Sequence, residues 1–398
     1  MMSTDFDYFS SHGLFSHEND LLSDTMFNAT GTKWKTLRSK LSPSFSSAKL
    51  KTLFGMLYQL GDRFEKKIED YSKKGETLDM KNLAMCFGTD VVSICLLGLE
   101  SDCMNYPESD LGTISKLMSE PRPVKFMVEN TVNWNLLGTL GYRVWSKRID
   151  NFFLTLIPDA LEFRKKNKLS RNDMIGLLIQ AQDNDQLTER EVIANIVSIY
   201  FAGYETTSTT ISFLMYELSK NQEVQDKLRK EIMDLRKLTP DGEFTYDDLV
   251  HMKYADKCIY ETLRKYPPVP EVPRAAVKDY KIPGTNQVIP KGVLITTPVM
   301  SVHYDPEYYP NPEEFNPENF SPENKAARHE FSFLGFGGGP RICIEPHKGL
   351  QPNELCRHQQ GTKKRLNGGQ GRGNSVSVFV ENRNENKFNH SIITSVRK

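Results

Sequence analysis

The sequence predicts a mainly α-helical protein with a small β part. Apolar residues recur at helical spacing through much of the chain between residues 50 and 266. The longest such pattern begins with a capping box at Thr188 and Glu191 and continues to about Leu218. A helix of about thirty residues spans roughly 45 Å, which is enough to cross a whole domain. Strand and turn patterns begin only near residue 280.

Five further helices are expected around this long one. Helical spacing predicts them over residues 50–64, 80–99, 145–165, 222–237 and 254–266. Pro267 and Pro268 stop the last of them. Residues 166–186 are polar and predict a surface connection.

The predicted β part follows the last of these helices. Short strands and turns are expected over residues 280–284 and 287–292, and a β-rich run over residues 292–299. Residues 305–322 are rich in Pro, Asn and Glu, which predicts a meander without regular structure.

The composition argues against several classes of protein. The chain has 398 residues, enough for one large domain or two ordinary ones. Its six cysteines are scattered without the spacing of a disulfide framework, which favours a reducing compartment. The N-terminus lacks the pattern of a signal peptide or a membrane anchor. The longest apolar stretch, residues 192–203, is too short to span a bilayer.

The formal net charge of zero conceals an uneven distribution. From Glu345 onward ten lysines and arginines accompany four glutamates, so this tail carries +6 and the rest of the chain −6. The tail has little apolar periodicity, which predicts disorder. Its basic residues 363–365 and the glycine-rich residues 368–373 could bind nucleic acid, but a solvated tail is the simpler interpretation. No nucleic-acid partner is therefore expected.

The most informative motif is a glycine-rich loop that contains one cysteine. Residues 336–344 have the sequence Phe-Gly-Gly-Gly-Pro-Arg-Ile-Cys-Ile. Glycines let backbone N–H groups approach the sulfur of Cys343, and such hydrogen bonds tune a bound metal. Arg341 can reach an anionic haem propionate. A cysteine thiolate pushes electron density onto haem iron and favours O–O cleavage. A thiolate that ligates haem iron needs a loop of this kind.

A second polar motif, Ala202-Gly203-Tyr204-Glu205-Thr206, interrupts the long helix. Glycine in a helix interior costs about 1 kcal/mol relative to alanine, and a buried acid costs more unless it is hydrogen-bonded. Small residues here would let a flat ligand lie against the backbone. Glu205 and Thr206 could then relay protons to a bound oxygen species. The alternative is a polar kink in which residues 206–210 bond back to helix carbonyls.

Three weaker motifs each have an ordinary alternative. Glu261 and Arg264 share a helix face, as a surface ion pair also would. Trp34 and Arg38 can present an indole N–H and a guanidinium to one anion, or they can be a half-buried Trp and a solvated Arg. Residues 315–320, taken alone, indicate only a turn.

The order and spacing of these motifs resemble those of the cytochrome P-450 family. The cysteine-loop pattern of that family, Phe-x-x-Gly-x-Arg-x-Cys-x-Gly, is matched up to its last position, which is Glu345 here. The resemblance covers residue 3 to about residue 344. Within it, the sequence looks most like the insect microsomal members that metabolise xenobiotics. It implies a cytochrome P-450 fold.

The resemblance also implies roles for individual residues. Cys343 would be the axial thiolate of haem b, and Glu205 with Thr206 the distal acid-alcohol pair. The other implied haem contacts are Trp34, Arg38, Ala202, Gly203, Arg274, Phe336 and Arg341. The implied structural network is Glu261, Arg264 and Asn319, although many members have an arginine where Asn319 stands. The implied apolar substrate pocket includes Phe201, Ala202, Val269 and Val272.

The implied activity is a monooxygenase that inserts one oxygen atom of O₂ into an apolar xenobiotic or lipid-like molecule. Electrons would come from NADPH through NADPH-cytochrome P-450 reductase. Residues 25–61 contain six basic residues and no acidic one, so opposite charge could steer the reductase to this segment. The expected docking residues are Lys33, Lys35, Arg38 and Lys40; a solvated helix face is the simpler alternative. Members of this type sit on the cytosolic face of the endoplasmic reticulum membrane, and without an anchor the chain could instead be cytosolic.

The resemblance breaks down at both ends of the chain. By this resemblance we expect the anchor, the proline hinge and the first helices and strands of the family to be missing, and residues 1–344 to form an N-terminally truncated, partial domain. After Ile344 the pattern stops, and Pro352 would break the helix that follows the cysteine in the family. Residues 345–398 are therefore expected to form a divergent, disordered basic tail. An altered reading frame, a splice variant or a gene-model error would each produce such a tail.

Two other interpretations stay open. The chain could be a catalytically inactive fragment that binds haem poorly or not at all. Alternatively, a zinc ion could be bound by Cys343, His347, Cys356 and His358, which are suitable ligand types at a spacing that matches no standard finger.

Overall fold

The computed structural model describes residues 2–167, 175–176, 178, 187–239, 243–344, 377–379 and 394–395. In these residues the protein is mainly helical with a few short strands, so the predicted fold class is confirmed. The α-helices described are α1 (Gly31–Leu41), α2 (Ser47–Lys74), α3 (Met80–Val92), α4 (Asp110–Ser119), α5 (Pro123–Thr131), α6 (Trp134–Thr139), α7 (Lys147–Lys166), α8 (Glu189–Lys220), α9 (Gln222–Arg236), α10 (Tyr246–Leu249), α11 (Lys253–Lys265), α12 (Val299–His303) and α13 (Pro322–Ala327). The strands described are β1 (Leu78–Asp79), β2 (Glu271–Ala275), β3 (Tyr280–Lys281), β4 (Val288–Ile289), β5 (Leu294–Pro298), β6 (Ser377–Phe379) and β7 (Thr394–Ser395).

The long helix α8 is the central element of the core. It has 32 residues, and its N-terminus carries the predicted capping box. The Thr188 hydroxyl accepts from the Glu191 backbone N–H, and the Glu191 carboxylate accepts from the Thr188 N–H at 2.8 Å. Residues 192–198 are all buried, which is why the apolar pattern covers every face of the helix there.

Two glycines let α3 pack closely against α8. A Cβ atom on Gly88 would lie 3.1 Å from the Tyr204 carbonyl oxygen, and one on Gly203 would lie 2.8 Å from Val92 Cγ1. Helix α3 continues into a π-helical turn, Ser93–Leu97. Together they form a segment, Met80–Leu97, that is long and apolar enough to cross a membrane by length and composition. Because 78% of that segment is buried inside the protein, it is equally well explained as a core helix.

The β part lies beside the N-terminal segment. Strands β2 and β5 pair antiparallel, with Glu271 opposite Pro298, and Ser11 forms a bridge to Ala275 at the outer edge of β2. Strands β3 and β4, which lie in the two segments expected to form short strands and turns, pair antiparallel. The sequence patterns did not predict β2, in part because Pro270 and Pro273 indicate a loop.

Two predicted segments are described only in part. Residues 166–186 were expected to form a surface connection, yet Ile175 and Leu178 are buried in the main core. That prediction is wrong at these two positions, because an apolar residue can dock on the core from a largely polar segment. Of the tail, residues 377–379 form a short strand that pairs with β1, and residues 394–395 form one that pairs with β6, where no regular structure was expected. The rest of the predicted disordered tail lies outside the described residues.

Candidate active site

The cysteine loop has a backbone that requires glycine at two positions. Gly337 and Gly339 have φ angles of 76° and 69°, in the left-handed region that favours glycine. The Cys343 N–H donates to the Phe336 carbonyl at 2.9 Å, and the Gly337 N–H donates to the Leu334 carbonyl at 2.8 Å. The Cys343 residue is exposed at the end of this folded loop.

Helix α1 lies against the cysteine loop through Arg38. Its Nη2 donates to the Cys343 carbonyl at 3.3 Å. Burial lowers the pKa of Arg38, and the nearby Cys343 side chain opposes that shift. Ile344 packs against the same apolar cluster as Trp34 and Phe201. The loop is thereby held between the N-terminal part of the chain and the long helix α8.

Arg341 joins the cysteine loop to the N-terminal segment. Its residue is 9% exposed, and its guanidinium carbon lies 4.8 Å from the centre of the Trp34 ring. The guanidinium donates to four backbone carbonyls, those of Ser10, Met26, Phe27 and Ala29. These bonds tie residues 10–29, which are distant in sequence, to the loop that carries Cys343.

Arg38, Arg274 and Arg341 form a cationic cluster that we call the guanidinium site. Within the described residues none of the three forms an ion pair with a carboxylate. The Nε atoms of Arg274 and Arg341 are buried without a hydrogen-bond partner in that part of the chain. Burial lowers the pKa of both side chains to about 10, and the other two arginines add to the shift at Arg341.

A histidine that the motifs did not include faces the same site. Burial and the charges of Arg274 and Arg341 lower the pKa of His12 to about 3, so its imidazole is neutral. The guanidinium site therefore has unpaired positive charge and unused buried donors, which suit a ligand with two carboxylates. The two propionates of haem fit this requirement, and the cysteine loop lies beside it.

Glu205 and Thr206 have different hydrogen-bond partners. The Thr206 hydroxyl donates to the Ala202 carbonyl at 2.7 Å. Glu205 Oε1 lies 3.2 Å from Lys81 Nζ, and the Ser119 hydroxyl donates to Glu205 Oε2. The alternative interpretation expected side-chain hydroxyls to bond back to helix carbonyls. Such bonds are present as well, from Ser208, Thr210 and Ser212 to carbonyls three or four residues earlier. In this motif the Thr206 hydroxyl is therefore bonded to its own helix, whereas the Glu205 carboxylate faces α3 and α4.

Sequence reasoning missed the partners of Glu205. Ser119 also bonds to the buried Tyr204 hydroxyl at 3.0 Å, and Lys81 also donates to Thr209 at 2.8 Å. A polar network therefore runs from the partly exposed Lys81 to the interior of α8. No local pattern marks Lys81 or Ser119, since they lie 124 and 86 positions away from Glu205.

Glu261 and Arg264 are buried rather than a surface pair. Both side chains are 0% exposed, and two guanidinium nitrogens meet the two carboxylate oxygens at 2.8 and 2.9 Å. The Asn319 amide donates to Glu261 Oε1 at 3.2 Å. The Asn319 carbonyl accepts from Arg328, whose guanidinium carbon lies 4.3 Å from the centre of the Tyr309 ring. An arginine thus stands near this network although position 319 is an asparagine.

The predicted pocket residues do not form one cluster. Phe201 is half-buried and lies edge-on to Trp145, with ring centres 5.3 Å apart. Val272 packs in a separate buried cluster with Val299 and Leu334. Val269 is 53% exposed.

The remaining predicted residues are placed as follows. Lys33 bonds to Glu191 at 2.8 Å, whereas Lys35 is exposed and Lys40 partly exposed. Gly203 faces Val92, so its missing side chain accommodates helix packing. Three of the proposed zinc ligands, His347, Cys356 and His358, lie outside the described residues. Within those that are described, no group of three or more His, Cys, Asp or Glu side chains could hold a metal ion.

Comparisons of the sequence with known proteins point to one family. The family model for cytochrome P450 matches residues 2–344. The chain is 34% identical to cytochrome P450 6A1 of Musca domestica over 364 residues, which are 88% of this chain and 72% of the relative. It is 36% identical to cytochrome P450 6a2 of Drosophila melanogaster over 358 residues, 85% of this chain and 71% of the relative. It is 31% identical to cytochrome P450 6B7 of Helicoverpa armigera over 372 residues, 89% of this chain and 73% of the relative.

Proposed function

Because this chain belongs to the cytochrome P450 family, we propose that Cys343 supplies the haem-binding thiolate of a monooxygenase that acts on an apolar small molecule. Members of the family are monooxygenases that use haem with a cysteine thiolate ligand and receive electrons from NADPH through a reductase. The observation that carries the proposal is the guanidinium site, with its buried unpaired donors next to the cysteine loop.

The residues around the loop would hold the cofactor by charge and by backbone geometry. Arg38, Arg274 and Arg341 would bind the two propionates, and Trp34 would support Arg341 through its ring. The left-handed glycines of the loop present Cys343 while its N–H is held by Phe336. When bound, haem supplies oxygen activation, which a thiolate ligand favours by donating electron density.

Glu205 and Thr206 would deliver protons. Glu205 Oε1 is in contact with the partly exposed Lys81, so its carboxylate can exchange protons with solvent on that side. The Thr206 hydroxyl donates its hydrogen to the Ala202 carbonyl, so its oxygen can still accept a hydrogen bond from a proton donor. Replacing Glu205 with Gln should therefore slow turnover by about 10²-fold or more, as loss of general acid catalysis does. Glu189→Gln, an exposed position at the start of the same helix, is the matched control.

Surface chemistry supports a proposal for the partner and for the location. Lys33 is already paired with Glu191, so we propose that Lys35 and Lys40 carry more of the attraction to an acidic reductase surface. Two consecutive short helices, α5 and α6, expose apolar side chains. The exposed residues are Val124 and Met127 of α5, Leu136 of α6 and Leu140, which directly follows α6. We propose that this patch contacts the endoplasmic reticulum membrane.

The test is turnover by the purified full chain with haem, reductase, NADPH and a panel of apolar aromatic probes under ¹⁸O₂. The proposal predicts a product that carries one ¹⁸O atom and depends on NADPH. Absence of a haem-thiolate Soret band in the wild-type chain would instead support the catalytically inactive alternative. Stoichiometric zinc by elemental analysis, together with no haem band, would support the zinc alternative.

A further inference from the structure

His303 is a fully buried histidine that none of the sequence motifs includes. It is the last residue of α12 and has no solvent exposure. Its ring stacks on Phe333, with ring centres 5.3 Å apart and planes 8° apart. The Tyr309 ring lies edge-on to it at 6.5 Å. The imidazole therefore has a fixed orientation.

The two hydrogen bonds of the imidazole determine its tautomer. The Leu334 backbone N–H donates to Nε2 at 2.8 Å, and a backbone amide can only donate, so Nε2 carries no hydrogen. Nδ1 lies 3.0 Å from the Arg264 carbonyl oxygen, which can only accept. Nδ1 must therefore carry the hydrogen. The ring is neutral and bridges two backbone groups that lie 70 positions apart.

This bridge continues into the cysteine loop. The Arg264 guanidinium bonds back to the His303 carbonyl at 2.9 Å, so the two residues hold each other. From Leu334 the chain of bonds goes on through Gly337, whose N–H donates to the Leu334 carbonyl. It ends at Phe336, whose carbonyl accepts from the Cys343 N–H. Among the described residues, the His303 ring joins the main chain of α11 to this path of backbone bonds.

We propose that His303 is a positioning residue for the thiolate ligand, because it fixes Leu334, two residues before the cysteine loop, to the main chain of Arg264. The inference rests on the proposed role of Cys343. Loss of the bond to Leu334 leaves a buried N–H unpaired and lets the loop open more often. A displacement of about 1 Å at a reacting group is enough to cost about 10²-fold in rate.

Two substitutions separate the two bonds of His303. Glutamine places an amide oxygen near the position of Nε2 and can still accept from the Leu334 N–H. Asparagine reaches only as far as Nδ1, so it keeps the bond to Arg264 and loses the bond to Leu334. Both substitutions remove the ring, so lost stacking on Phe333 does not distinguish them. His329→Asn is the matched control, because the exposed His329 also accepts a backbone N–H, that of Phe331, at 3.2 Å.

The first readout is the Soret band of the reduced, CO-bound chain. We expect H303N to lose most of its thiolate-type band in favour of a thiol-type band, with kcat reduced by about tenfold or more and KM little changed. H303Q and H329N should keep the wild-type band. Equal losses in H303Q and H303N would overturn the proposal.

The second readout is hydrogen exchange of the peptide that covers residues 334–343, which needs no cofactor. H303N should exchange about tenfold faster or more there than H303Q and H329N. If the wild-type chain shows no haem-thiolate band, the role proposed for Cys343 fails, and exchange still tests His303. Equal exchange in H303Q and H303N would contradict the role of His303 whatever the band shows.

Discussion

Replacing Arg264 with alanine should destabilise this protein far more than breaking an ion pair of the same spacing on its surface. The Arg264 guanidinium bonds both carboxylate oxygens of the fully buried Glu261. It also donates to the backbone carbonyls of His303, Pro312 and Glu314, at 2.9, 2.8 and 3.1 Å. The substitution leaves a buried charge without its counterion and three carbonyls without this donor.

The magnitude follows from these contacts. Removing one partner of a buried ion pair costs about 3–5 kcal/mol. Each buried polar group that loses its partner costs about 1–3 kcal/mol, although such terms are not simply additive. Even about 3 kcal/mol changes the unfolding equilibrium constant by about two orders of magnitude. That is a large part of the about 5–15 kcal/mol that stabilises a typical native protein.

The assay is urea denaturation followed by tryptophan fluorescence. Lys237→Ala is the matched control, because Lys237 pairs with Asp234 at the same i, i+3 spacing and 2.8 Å, with side chains 70% and 53% exposed. The control should unfold at the wild-type urea concentration, because exposed pairs contribute little. The double substitution E261Q/R264M should be less destabilised than R264A, since no unpaired charge stays buried. An R264A midpoint equal to that of K237A would refute the reasoning.

Three further outcomes are expected. Arg274→Ala should weaken haem binding by about tenfold or more in a haem titration without destabilising the haem-free chain, because within the described residues its guanidinium donates to the neighbouring Pro273 carbonyl alone and its buried Nε has no partner. Arg341→Ala should in addition lower the haem-free thermal midpoint, because it loses its bonds to four carbonyls. Gly203→Ala should cost about 1–3 kcal/mol in urea denaturation, because its methyl group would lie 2.8 Å from Val92, and Val92→Ala should recover most of that loss in the double variant. Burial, with a smaller contribution from the Arg264 charge, lowers the pKa of His303 from 6.5 to about 4. As the pH falls, the unfolded chain therefore takes up a proton before the folded chain does. The stability that the neutral His303 contributes is fully present above about pH 6.5 and is lost toward pH 4. H303Q should show a shallower loss between pH 7 and pH 4.5, by about 2–3 kcal/mol; a slope equal to that of the wild type would contradict this pKa.

Much of the fold was predictable because its signals are local. The capping box at Thr188 and the apolar pattern after it locate α8 to within two residues at each end. Helix α11 ends at Lys265, just before the two prolines that were expected to stop it. Strand β2 was missed because pairing with β5, and not its own composition, makes it a strand.

Site residues were predictable only where they belong to motifs with a recognisable order and spacing along the chain. The spacing of Glu261 and Arg264 could not distinguish a surface pair from a buried one, since burial depends on the meander that covers them. Lys81, Ser119 and His303 carry no local signal. Each acts across a contact between elements that are far apart in the sequence, which a single sequence does not encode as a pattern.

The central claim is that Cys343 ligates haem iron as a thiolate. The most direct test is the reduced-minus-CO difference spectrum of the full chain, of Cys343→Ala and of Cys95→Ala. Cys95 is a partly buried residue in the π-helical turn Ser93–Leu97 that follows α3. We expect the wild type and C95A to show the thiolate-type band and C343A to lack it. An unchanged band in C343A would contradict the account.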